Sequence, residues 1–498
     1  MIKKLRSKPF YLILLPIFFL LHITQENYDL ISFKSVMSFF WIYCLMSIVT
    51  FGVAYIFFRD YKKSAVVTIL SMSFFFFFSA FHDFVKAYSP IDFFGRYVFI
   101  LPFSILTLIV LFIYLKKTTK RFERFSTLLN ALLIIYILLD ASILIWKSKS
   151  PRKHNISVQN FSEIQNATIS DSCAKPDIYF LLFDEYAGSK SLKDKYGYVN
   201  EIDTFLRANG FHIQAQSRSN YNFTAFSMSS ILNMAYLGNF NSKSVTANDY
   251  VGCNYLIRHN RAIEFLERNG YEIINYSVFD LKGKPALVQQ FFLPQSEKII
   301  SERTFFNRIN TDIGWNLYAK FNIPINPKKT FFNHHKNNNA FISHIKNTVS
   351  QGFPKPRFVY AHLYLPHPPF FFDKNGKLRD PKISFRQADY FNPAAYIGYL
   401  QYTNRRMKDL INTILAKNPN AVIVLMADHG YRPGTTDPSP ADHFNILNAV
   451  YFPGKDYKGF YSNISGCNQF RVIFNKLFQQ NFPLLKDSSI FMSDKVTR

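Results

Sequence analysis

Cysteine is scarce in this chain, with four among 498 residues. None has CxxC spacing, which excludes a zinc ribbon or a dithiol redox pair. Cys44 falls in an apolar run. Cys173, Cys253 and Cys467 lie beyond the apolar runs, where one intramolecular disulfide is chemically allowed and its pairing stays open. Structural roles are expected for all four. Acidic residues are also in deficit, 33 against 58 Lys plus Arg, for a formal net charge of +25. This excess does not point to nucleic acid, because the basic residues are scattered and lack an aromatic-interleaved recognition motif. Several of them flank apolar runs, so anionic lipid headgroups are the better partner. Internal repeats are absent.

What the chain has in quantity is aromatic and apolar sequence: 18% aromatic residues, 56 of them Phe. The mean hydropathy of −0.02 hides two populations that divide near residue 147. Five apolar runs occupy residues 10–24, 36–58, 65–81, 97–115 and 126–146. About 20 apolar residues cross a bilayer as a helix. A signal peptide accounts for the first run alone, but no small-residue cleavage site follows it. Five transmembrane helices are therefore expected. "KKLRSK", "RDYKK" and "KKTTKRFERF" flank them on one side, while the alternate loops carry mixed charge. Basic loops stay cytoplasmic. The N-terminus is then cytoplasmic, the protein is a multi-pass inner-membrane protein, and everything after Trp146 is extracytoplasmic, or periplasmic.

Residues 147–176 are polar and aperiodic and read as a juxtamembrane linker between a membrane domain, 1–146, and an outer domain, 177–498. In the outer domain strands alternate with helices: "DIYFLLFD", then a helix over "SLKDKYGYVNEIDTFLRANG", then "FHIQAQS". "RAIEFLERNG" and "YEIINY" repeat the order, and "RFVYAHLYL", a long amphipathic helix from "AAYIGYL", "AVIVLMADHG" and "AVYFPG" follow. The pattern predicts an α/β fold with a mostly parallel central sheet and helices on both faces. Ligands gather beyond the carboxyl ends of such strands. Asp184 follows one strand there; Asp428 and His429 follow another.

Carboxylates and an imidazole at strand ends suit zinc or manganese. The plain alternative is that each Asp caps the next helix. Thr224, in "NYNFTAFSMSS", sits where an apolar helix begins. It reads either as a capping hydroxyl or, if a metal lies close, as an activated nucleophile at a helix start suited to a phosphate or sulfate oxygen.

"DIYFLLFDEYA", "SRSNYNFTAFSMSSILNM", "FVYAHLYLPHPPF" and "VIVLMADHG" stand in the order of the alkaline phosphatase superfamily. The chain resembles its membrane-anchored sulfatase-like branch, which includes lipoteichoic acid synthases and lipid A phosphoethanolamine transferases. The resemblance implies one divalent metal ion, zinc or manganese, held by Asp184, Thr224, Asp428 and His429, with Thr224 also the nucleophile. It places His367 on a substrate oxygen in preference to His362, which lies inside a strand run. Arg218, Asn220 and His443 are further candidates for touching substrate. The chain departs from the family in having Asp184 where close relatives often carry Glu; Glu185 is adjacent but is expected on the other side of the strand end. Sulfatases proper carry Cys or Ser followed by x-Pro-x-Arg, the formylglycine signal, and Thr224 is followed by "AFSMS".

Three readings of function follow. The first is a phosphotransferase or phosphodiesterase acting on a phospholipid headgroup and modifying cell-envelope lipids or glycans. The second is a hydrolase of sulfate or phosphate esters. The third is a non-catalytic envelope-binding protein that keeps the fold.

Overall fold

The computed structural model describes residues 8–28, 31–119, 122–149, 156–288, 296–314, 328–384, 387–432 and 443–493. It divides into two compact units, Met1–Lys153 with Pro294–Ile325, and His154–Leu293 with Asn326–Arg498.

The first unit contains helices Tyr11–Glu26, Phe33–Phe58, Tyr61–Tyr88, Tyr97–Lys117 and Glu123–Lys149. All five apolar runs are therefore helical. The last four are long and apolar enough to cross a membrane. The first has 16 residues, about 24 Å at 1.5 Å per residue, short of a hydrocarbon core of about 30 Å. It packs on the last helix through polar contacts that fix its register. Tyr11 N donates to Asn130 Oδ1 at 2.8 Å, and His22 Nδ1 lies 3.1 Å from Asp140 Oδ2. Asp60 starts the third helix by accepting from Lys62 N and Lys63 N, satisfying N–H groups a helix start leaves bare.

The second unit is the α/β domain. Its strands are β1 (Ser157–Val158), β2 (Ile178–Phe183), β3 (His212–Ile213), β4 (Leu237–Gly238), β5 (Glu272–Tyr276), β6 (Arg357–Leu363), β7 (Val422–Met426) and β8 (Asn448–Tyr451). β1 and β4 form a small antiparallel pair. The other six form a sheet in the order β3-β8-β7-β2-β6-β5. β5, β6, β2 and β7 are mutually parallel, while β8 runs antiparallel to β7 and β3. The sheet is thus mixed where a mostly parallel one was expected. Among the described residues between β7 and β8 the only helical ones are His443 and Phe444, too short for the crossover that a parallel return needs. β2 is central and every residue in it is buried, which explains its unbroken apolar run.

Three further expectations change. The helix expected over 191–210 is broken into Ser189–Tyr196 and Ile202–Ala208, because Gly197 takes φ +62 and caps the first piece. Much of the linker is folded: Phe161, Ile164, Ile169 and Cys173 are buried in the α/β core. Residues 296–314, inside the stretch read as the outer domain, pack with the apolar helices instead. All four cysteines are free, with Cys173, Cys253 and Cys467 buried as structural residues.

Candidate active site

Register places the strand-end residues at one height. Leu182 of β2 pairs with His362 of β6 on one side and Met426 of β7 on the other. Asp184 and Asp428 each follow that level by two residues and emerge side by side at the carboxyl end of the sheet. His362 turns to the same centre, its Nε2 3.3 Å from Asp184 Oδ2. Ligand atoms of Asp184, His362 and Asp428 lie within 4.8 Å of one another, and all three residues are buried. His429 joins them, its Nε2 3.4 Å from Asp428 Oδ2 and 3.9 Å from Asp184 Oδ1.

Thr224 completes the group. It is the first residue of helix Thr224–Asn233, whose cap residue Phe223 offers no side-chain hydrogen bond. Thr224 is therefore not the capping hydroxyl. Its Oγ1 lies 3.3 Å from His429 Nε2. Ser227, one turn on, donates to Asp428 O and ties that helix to the β7 end.

Burial and then the neighbouring Asp428 carboxylate push the Asp184 acid well above its ordinary range. Burial drives the His429 imidazole well below its ordinary value, helped by the Arg432 charge, and holds His362 at about 4. Asp184 Oδ1 and Asp428 Oδ2 are buried without a hydrogen-bond partner. Two adjacent buried carboxylates with orphaned oxygens and two neutral imidazoles are costly unless a cation is shared among them. The donor set fits a divalent metal ion.

A second layer surrounds this group. Glu185 has φ +61, a left-handed backbone that costs a non-glycine residue about 1–3 kcal/mol. It is held there by Asp428 Oδ1, which accepts from Glu185 N at 3.0 Å, and by the Tyr396 hydroxyl donating to Glu185 O at 2.9 Å. Its carboxylate accepts from Arg432 N at 3.0 Å and lies 3.5 Å from His367 Nε2. Burial raises the Glu185 acid, but Arg432, His367 and His429 outweigh it and leave the group below its ordinary value. Arg432 also donates from Nη1 to Asn222 O at 3.1 Å and lies 5.5 Å from the centre of the Phe223 ring. Its guanidinium therefore crosses the loop that delivers Thr224.

The structure brings Asp184, Thr224, Asp428 and His429 together and adds His362, passed over in favour of His367. A histidine in an otherwise apolar strand, one residue from its end, was the signal. His367 stands beside Glu185, outside the Asp184–His362–Asp428 cluster. Arg432 and Asn222 carried no sequence signal. The side-chain hydrogen bonds of Asn220 go to Tyr236, Ser488 and Cys467; Arg218 is exposed and bridges backbone to Asn445 and Ser465. None of these contacts reaches Thr224. His443 is buried, its carbonyl accepting from Gly430 N at 2.8 Å.

An α/β sheet with carboxylates and histidines at its strand ends, gathered about a helix-start threonine, is the arrangement of the alkaline phosphatase superfamily. Within it the chain belongs to the Sulfatase family, whose model matches residues 196–463, over half of the chain. It is an enzyme of phosphoryl or sulfuryl ester chemistry. The matched span includes Thr224, His362, Asp428, His429 and Arg432 and begins after Asp184. No curated protein matches the chain significantly. Solved structures with some likeness include the periplasmic domain of phosphoethanolamine transferase EptC from Campylobacter jejuni, at 13% identity and TM-score 0.35, covering 64% of this chain and 94% of that one. Another is the integral membrane lipooligosaccharide phosphoethanolamine transferase A from Neisseria meningitidis, at 12% and 0.36, covering 94% and 96%. A zinc complex of the Escherichia coli EptC periplasmic domain gives 14% and 0.39, covering 69% and 90%. Likeness at this level is too distant to assign chemistry.

Proposed function

We propose that the protein is a membrane-anchored, metal-dependent phosphotransferase or phosphodiesterase with Thr224 as its nucleophile. The observation that carries this reading is the Thr224 hydroxyl, free of capping duty at a helix start and 3.3 Å from His429 Nε2 beside two orphaned carboxylate oxygens. Asp184, Asp428 and His429, with His362 close by, would hold one zinc or manganese ion. Such an ion, when bound, lowers the pKa of a hydroxyl and offsets charge on phosphoryl oxygens.

Thr224 Oγ attacks the phosphorus of a phosphodiester, and the bond from phosphorus to the donor alcohol breaks. An acceptor hydroxyl, or water, then attacks the phosphothreonine and regenerates Thr224. The positive end of helix Thr224–Asn233 favours the anion. Arg432 adds a cation whose direction is fixed by Glu185 and Asn222 O, and His367 faces a substrate oxygen. Five membrane crossings, with the N-terminus cytoplasmic and the α/β domain periplasmic, are supported by the basic loops; they keep the site near lipid donors such as phospholipid headgroups.

Full-length protein in vesicles holding a lipid labelled at its headgroup phosphate, with an added envelope glycolipid, tests the reading. Label moving to the glycolipid means transfer, and label reaching water means phosphodiesterase. Unmoved label together with cleavage of a sulfate ester overturns the proposal in favour of a sulfate-ester hydrolase.

Arg432→Ala is expected to lower kcat/KM on bis(p-nitrophenyl) phosphate by about 10²-fold, the scale of one preorganised charge contact. Arg432→Lys should recover little, because the Glu185 and Asn222 contacts need the guanidinium fork. Lys at wild-type rates rules out that role. Metal binding should compete with protons at Asp184, whose acid burial and the neighbouring Asp428 raise above its ordinary range. Zinc affinity therefore weakens as pH falls. Calorimetry of zinc binding in buffers of different ionisation heat checks the sign; heats independent of buffer contradict it.

A further inference from the structure

Residues 296–314 lie between β5 and β6 in sequence, inside the α/β domain, yet they fold with the apolar helices. The stretch makes two short helices, Ser296–Glu302 and Phe305–Ile309, and a final π-helical turn. Ile300 is fully buried in a core shared by the first, second, third and fifth apolar helices. Past the bend, Phe305 meets Phe74 and Phe78, with ring centres at 4.9 Å, and Phe306 meets Phe75 at 5.7 Å. Phe306 is 67% exposed.

Polar braces stand on both sides of this aromatic tip. Before it, Arg303 Nη1 lies 2.7 Å from Glu26 Oε2, at the last residue of the first helix. After it, Arg308 grips both oxygens of Asp83, and its Nε donates to Asp312 Oδ2 at 2.7 Å. Asp312 Oδ2 accepts from the Tyr97 hydroxyl at 2.6 Å, at the first residue of the fourth helix. The pattern runs polar, apolar, polar along one bend, with ion pairs at helix ends and phenylalanines further along the third helix.

Depth follows from helix geometry. Phe78 and Phe74 lie ten and fourteen residues before the end of the 28-residue helix at Tyr88, about 15 and 21 Å along it. That helix is about 42 Å long, against a hydrocarbon core of about 30 Å. Even with the whole surplus of about 12 Å projecting at the Tyr88 end, Phe78 and Phe74 sit about 3 and 9 Å below the hydrocarbon edge. Non-helical backbone survives at such depth only where its polar groups have partners. At the bend Thr304, which is buried, donates from N and from Oγ1 to Ser301 O at 2.9 and 2.6 Å, and its own carbonyl accepts from Arg308 N at 2.9 Å.

We infer that residues 296–314 are a re-entrant membrane anchor, whose partner is the bilayer itself and whose apolar tip is Phe305 and Phe306. The α/β domain is then held to the membrane at two places in its sequence: at its start, by the chain from the fifth helix, and at this insertion. This rests on the reading that the apolar helices cross a membrane.

The test uses full-length protein in membranes, with a protease site inserted between Lys149 and Ile156. Before cleavage the chain should resist an alkaline carbonate wash; if it washes off, the membrane reading itself fails and takes the anchor with it. After cleavage the C-terminal fragment of the wild type is expected to stay in the pellet. The double variant Phe305→Asp, Phe306→Asp should leave the pellet, reducing it by about tenfold or more, because an acid in hydrocarbon is far costlier than Phe. A wild-type fragment released by cleavage while the helices stay in the pellet overturns the inference. So does equal retention of both forms. Phe306→Cys in uncut protein provides a milder check. The peptide carrying position 306 should react with a bilayer-soluble maleimide at least about tenfold faster than with a charged, water-soluble one, as expected for a side chain in hydrocarbon; equal rates overturn the assignment.

Discussion

Thr224→Ala is expected to lower turnover by about four orders of magnitude or more, the scale on which a lost nucleophile leaves only binding and electrostatics. The fold should survive. Thr224 gives helix Thr224–Asn233 no capping hydrogen bond, and Ala is a better helix former than Thr. Ser229 and Ser230, further along the same helix, already bond to carbonyls of Ala225, Cys253 and Ala235, so no neighbour stands in for the lost hydroxyl. Thr224→Ser keeps an oxygen at the same place and should retain a measurable rate. Steady-state turnover on a phosphodiester, with thermal unfolding as a control, checks both. Quenching a slow substrate should leave a phosphoryl adduct on the Thr224 peptide in the wild type and none in the Ala variant. An Ala variant that folds and turns over normally removes Thr224 from the chemistry.

Much of this centre was legible because strand ends are marked in sequence. The apolar runs of β2 and β7 stop at Asp184 and at Asp428–His429, and parallel pairing puts those stops at one level. His362 was harder to see, because a residue inside a strand run reads as core until register shows what stands beside it. Arg432 depends on Glu185, and Glu185 depends on a left-handed backbone, which nothing in "FDEY" announces. The five apolar helices follow from composition. The insertion at 296–314 does not, since "SEKIISERTFFNRINTDIG" is too polar and too short to signal membrane contact. The antiparallel β8 needed knowledge of what lies between it and β7. Local pattern was enough for elements, and long-range pairing decided the rest.

The second large effect concerns the metal. Asp428→Asn keeps the size of the side chain, and a correctly oriented amide oxygen can still accept from Glu185 N as Asp428 Oδ1 does at 3.0 Å. What it removes is the charge of one of two adjacent buried carboxyl groups. Elemental analysis of full-length protein should find about one zinc or manganese per wild-type chain and less than about a tenth of that in the variant, because losing a charged ligand costs most of the affinity of such a site. Metal-free stability should move the other way. In the wild type Asp184 has its folded-state pKa raised by burial and by Asp428. The stability it contributes is present below its ordinary value and is lost as pH rises through the raised one. Neutralising Asp428 relieves part of that loss at neutral pH, so the metal-free variant should melt about 2–4 °C higher than the metal-free wild type, as expected for about 1 kcal/mol in a large domain. Loaded wild type should melt above both, because a ligand that binds only the folded state stabilises it. A variant that keeps its metal sinks the site. A variant that loses metal but melts lower than metal-free wild type would mean that Asp428 serves the fold through its charge, and that its pairing with Asp184 is not the strain a metal relieves.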